Sequence, residues 1–69
     1  EEASVAVKAL DLLLERDRQL VHWAGAGATA KEIAQWLEVS PSAAERARQR
    51  AVERFMKSYR LLRQRRSQP

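Results

Sequence analysis

Two helix-start signals stand only eleven residues apart, and they bound the middle of the chain. Thr29-Ala30-Lys31-Glu32 has the form of a capping box. The Thr hydroxyl accepts from the backbone N–H of Glu32, and the Glu carboxylate reaches back to the N–H of Thr29. Ser40-Pro41 is the second signal: Ser is a good N-cap, and Pro suits the first helical position because its missing N–H has no partner there. Between them fits a short helix over 29–37, with Ile33, Ala34, Trp36 and Leu37 as its buried face. Glu38-Val39-Ser40 is the turn, and Val39 plugs its corner.

After Pro41 nothing stops a helix until Ser67–Pro69, so the spacing predicts one over 41–65. Ala44, Ala47, Ala51, Phe55, Tyr59 and Leu62 share a stripe, which Val52 and Met56 widen. Upstream, Ser4 is a candidate N-cap for a helix over 4–15. Val7, Leu10 and Leu14 would line it, with Ala6 and Leu13 beside them, and Glu1 and Glu2 would sit at its positive end. The polar run Glu15–Arg18 reads as a break. Leu20, Val21, Trp23 and Ala24 then mark a helix over 17–25 that Gly25 and Gly27 end. No run alternates with period two. The expected fold is all-α: four helices in one domain over 1–69, with a long C-terminal helix.

Composition narrows function mainly by exclusion. There is no Cys and a single His, His22, so neither a disulfide framework nor a conventional zinc site is expected. Cofactor and metal are both expected to be none. No Gly-rich phosphate loop or carboxylate–His constellation is present, and Ser occurs only near caps or the terminus or in the basic tail, so we do not expect an enzyme. No apolar run is long enough for a bilayer, and no stretch reads as a signal peptide, which points to a cytoplasmic protein without a membrane partner.

Charge is uneven. Residues 1–44 carry four Lys or Arg against seven Asp or Glu, whereas residues 45–69 carry nine against two. A basic C-terminal third is an electrostatic footprint for a polyanion. The alternative is a solvated face on which Glu45 and Glu53 pair with neighbouring arginines. The tail with Leu61, Leu62, Arg60, Arg63, Arg65 and Arg66 is amphipathic and suits phosphate, a membrane surface or a partner helix, with an apolar strip too narrow to favour membrane; a frayed extension of the last helix is an equal alternative.

Two short-spaced helices with a tight turn read as a helix-turn-helix, whose second helix fits the DNA major groove. The segments "ALDLLLERDRQLV" (9–21) and "ATAKEIAQWLEVSPSAAERARQRAVERF" (28–55) resemble region 4 of bacterial sigma-70-family factors. Their pattern is similar to A-L-x-x-L-P-x-R-x-R-x-V-L followed by L-S/T-x-x-E-I-A-x-x-L-x-V/I-S, with Leu14 at the usual Pro. LuxR/GerE-type domains share the same four-helix plan. The resemblance implies sequence-specific binding of double-stranded DNA in bacterial transcription, with promoter upstream element recognition and RNA polymerase contact on the sigma side. On the LuxR/GerE side it implies a homodimer through the last helix. It places Ser42, Glu45, Arg46, Gln49 and Arg50 toward the groove. Arg would read guanine, Gln49 adenine and Glu45 a cytosine amino group. Lys31, Arg54 and Lys57 are candidates for phosphate contacts. A second expectation keeps the scaffold and drops DNA: a protein–protein interaction module that binds polymerase, a sigma factor or itself.

Overall fold

The computed structural model describes the backbone of residues 2–67 and the side chains of residues 4–64. The expectations for Glu1, for the side chains of Glu2, Arg65 and Arg66, and for a stop at Gln68 and Pro69 lie outside the described residues; the last helix runs to Ser67, two residues past the expected end at 65. Four helices follow in order: α1 (Glu2–Asp11), α2 (Glu15–Gly25), α3 (Ala30–Leu37) and α4 (Pro41–Ser67). No strand occurs among the described residues.

The two start signals behave as their chemistry requires. Glu32 N donates to Thr29 Oγ1 at 3.1 Å, and Thr29 N donates to Glu32 Oε1 at 2.8 Å. Ala43 N donates to Ser40 Oγ at 3.1 Å, and Pro41 opens α4. The helix ends are equally defined. At the end of α2, Gly27 takes a φ of 86°, and the amides of Gly27 and Ala28 donate to Ala24 O and Trp23 O, which is a Schellman closure. At the end of α3, Glu38 takes the left-handed conformation (φ 58°, ψ 47°) and Val39 N donates to Ala34 O. A Glu there bears a steric cost that Gly would avoid.

The first third differs from expectation. α1 already includes Ser4, so Ser4 is an exposed helical residue and not a cap. The break falls at Leu12–Leu14, not at Glu15–Arg18. Leu12 and Leu13 donate backwards to carbonyls of α1 and tighten its last turn. Leu14 then extends (φ −63°, ψ 154°), and Glu15 and Asp17 fall in the first turn of α2, where the helix dipole favours acids. With α1 ending at Asp11, Leu14 leaves its stripe. Val5 and Ala9, one turn apart, become the buried pair, while Val7 and Leu14 are exposed.

Each of α1, α2 and α3 packs on α4. The molecule is elongated, 46 × 17 × 17 Å, because 27 residues of α4 span about 40 Å. Its main core consists of Leu20, Ile33, Ala34, Ala44 and Ala51, with Val21, Trp23, Ala28, Leu37, Val39 and Ala47 packed around it. Ala44 and Ala51 are fully buried, so α4 meets its neighbours through backbone-near surface. Leu20 and Ile33 are the large side chains so enclosed, each worth about 1.5–3 kcal/mol of burial. Trp36 was expected inside but is 51% exposed. It lies against Trp23 with ring centroids 4.8 Å apart and planes at 46°. A short helix whose buried face is already filled by Ile33 and Ala34 leaves the indole at the rim. Met56, at the edge of the α4 stripe, is exposed as well.

Candidate nucleic-acid interface

α4 is covered on one side by the other three helices, and its opposite side is open. Ser42, Arg46, Gln49, Arg50, Glu53 and Lys57 are all exposed and recur at spacings of three and four, which is one helical face. Arg46 and Arg50 pair with no carboxylate among the described residues. Glu53 is the acid on this stretch.

Glu45 lies at the edge of the face and is half-buried. Arg48 Nη2 sits 2.6 Å from both of its carboxylate oxygens, and Gln49 Nε2 donates to Oε2 at 3.2 Å. The acid that would repel phosphate is thereby held by an arginine one turn away. The same arrangement orients the Gln49 amide with one of its two N–H donors, leaving the other N–H and Oε1 for a base edge.

Arg54 was expected on phosphate, and the structure gives its guanidinium a different neighbour. Nη1 donates to Asp17 Oδ2 at 2.7 Å, joining α4 to the first turn of α2 across 37 residues of sequence. Asp17 is 8% exposed and is the buried charged residue among the described residues, whereas the Arg54 side chain remains 57% exposed. Lys57 is exposed one turn further on, beside a hollow lined by Leu12, Leu13 and Leu14. Lys31 is exposed in the first turn of α3 and belongs to a different element from the rest.

One cation that sequence reasoning passed over joins the face. Arg16, in the first turn of α2, lines a cleft with Asp17, Leu20, Ala43, Arg46, Ala47, Arg50 and Arg54. The family pattern on residues 9–21 has an Arg at position 16, but the placing of Arg16 beside Arg46 and Arg50 depends on how α2 packs on α4. Its segment read as a break between helices.

Among the described residues, no group of three or more His, Cys, Asp or Glu side chains is placed to hold a metal ion. No helix among them is long and apolar enough to cross a membrane. His22 is exposed on α2, beside an apolar surface hollow that includes Leu10, Val21 and Trp23. Comparison of the chain with protein-family models, with curated proteins and with solved structures gives no match.

Proposed function

We propose that the protein is a sequence-specific DNA-binding helix-turn-helix domain of bacterial transcription, on the plan of sigma region 4 and LuxR/GerE-type domains. The observation that carries this reading is the open face of α4. Arg46 and Arg50 stand one turn apart there, exposed and unpaired among the described residues, while Glu45 is neutralised by Arg48. A helix of this kind fits the major groove, and its N-terminal turns reach base edges. In this reading Arg46 and Arg50 contact guanine or phosphate, Ser42 and Gln49 contact base edges, and α3 braces α4 through Ile33 and Ala34. Lys57 and Lys31 extend the contacts along the backbone, and Glu45 acts by positioning Arg48 and Gln49.

A second reading has its own support: a protein-interaction module on the same scaffold. Leu12 and Leu14 are 67% and 77% exposed, and Trp36 is half exposed, which offers apolar surface to a protein partner. RNA polymerase, a sigma factor or a second copy would be the partner class.

A pair of charge-matched variants separates the two. Arg46→Glu and Arg18→Glu change net charge equally, but Arg18 lies off this face, beside Asp11 at 3.7 Å. Titrating fluorescent duplex DNA by anisotropy, the DNA reading expects Arg46→Glu to lose most affinity and Arg18→Glu to lose little. Equal losses would indicate nonspecific attraction by net charge and would defeat a defined interface.

A further inference from the structure

The cleft between the first turn of α2 and the second to fourth turns of α4 carries five charged side chains: Arg16, Asp17, Arg46, Arg50 and Arg54. Its one carboxylate, Asp17, is already bonded to Arg54 at 2.7 Å. Arg16, Arg46 and Arg50 are exposed and pair with no carboxylate among the described residues. Glu15, the neighbouring acid, lines a different hollow together with Arg18 and Gln19. Three free guanidiniums from two elements therefore converge on a cleft of about 350 Å³ whose floor is apolar, with Leu20, Ala43 and Ala47. Like charges gathered without a partner repel one another, and a bound anion relieves that repulsion. Guanidinium forks match the geometry of phosphate oxygens.

We propose that this cleft is a phosphate-binding site in which Arg16 of α2, with Arg46 and Arg50 of α4, grips successive phosphodiester groups of the DNA backbone, about one for each guanidinium. The inference rests on the DNA-binding reading and deepens it. Arg46 and Arg50 belong to both the open face and the cleft, so a duplex seated on the face brings one strand to the start of α2. α2 then takes part in binding and does more than pack, and Arg16 sets how the helix is oriented on the duplex without selecting sequence. Asp17 holds Arg54 at the cleft wall and keeps the carboxylate from competing with the phosphate.

The test is Arg16→Ala against Arg16→Lys, with duplex affinity measured between 50 and 200 mM salt. Each phosphate contact contributes about 0.9 to the slope of log K on log salt. Arg16→Ala is expected to shrink the salt-induced loss of affinity over that range by about threefold, equally for two unrelated duplex sequences. Arg16→Lys should retain the wild-type slope. An unchanged slope in Arg16→Ala, with Arg46→Glu still defective, overturns the cleft and leaves the DNA reading standing. A second arm is independent of DNA: tripolyphosphate titrated against the arginine Nε–H signals in an NMR spectrum. The cleft expects Arg16, Arg46 and Arg50 to move together and saturably, and the response to disappear in Arg16→Ala. Uniform small drifts of all arginines would overturn it. If wild type ignores duplex DNA but the three signals respond, the DNA reading fails and the phosphate site survives.

Discussion

Replacing Arg54 by Met removes the one guanidinium that meets Asp17 and keeps most of the aliphatic stem. The Asp17 carboxylate, whose side chain is 12% exposed in the intact pair, is then left without a partner among the described residues. Breaking a fully buried pair from one side costs about 3–5 kcal/mol, and an exposed pair is worth about 0–1 kcal/mol. Here one partner is buried and the other is 57% exposed, so the expected cost lies between, about 2 kcal/mol. For a domain of this size that lowers Tm by about 8–16 °C. Asp17→Asn acts from the other side. Its amide oxygen still accepts a bond, and the released Arg54 has water to turn to, so the cost is about 1 kcal/mol or less. Urea denaturation followed by circular dichroism on both single variants and the double variant measures the asymmetry directly. The double variant should cost less than the sum of the singles. A cost for Arg54→Met below about 0.5 kcal/mol would class the pair with exposed ion pairs. A larger cost for Asp17→Asn than for Arg54→Met would refute the assignment of Asp17 as the buried partner.

Three further outcomes follow from the backbone and the core. Glu38→Gly relieves the left-handed conformation at the end of α3 and should stabilise by about 0.5–1 kcal/mol, less the freedom Gly adds to the unfolded chain, read as a raised urea midpoint. Leu14→Pro places a ring where φ is already −63° and the side chain is exposed, so it should leave Tm unchanged or raise it, whereas the same change at Ala47 inside α4 should cost about 3 kcal/mol or more. Ala51→Leu forces three extra carbons into a site with no exposure, and should cost about 1–3 kcal/mol or prevent folding in a thermal melt.

The parts of the fold that were legible in the sequence are those with local chemistry. Thr29 with Glu32, and Ser40 with Pro41, act within three residues of themselves, so α3 and the start of α4 could be placed from the string alone. The α1–α2 junction could not. Its break falls on three leucines, and the polar run beside it is the first turn of a helix. Apolar spacing marked Val7, Leu10 and Leu14, yet α4 receives Val5 and Ala9, because a small residue at position 9 lets α1 approach. Trp36 read as core on its helical period, but an eight-residue helix has room to bury only part of that period. On the candidate face, Arg46, Gln49 and Arg50 are singled out by the family resemblance, and helical spacing adds that Arg46 and Arg50 share a face. The capture of Arg54 by Asp17 and the arrival of Arg16 are tertiary facts, set by the packing of α2 on α4.

The central claim is that α4 presents its open basic face to duplex DNA. Its most direct test is the wild-type affinity for duplex DNA as a function of salt. Arg16, Arg46, Arg50 and Lys57 are the four exposed cations assigned to phosphate or to the groove on this side, which gives a slope near −3.6. Binding is expected at 50 mM salt and weakens on the order of a hundredfold by 200 mM. Absence of binding at 50 mM, or a loss below about threefold over that range, would contradict that claim and turn attention to the exposed Leu12, Leu14 and Trp36 as a protein-binding surface.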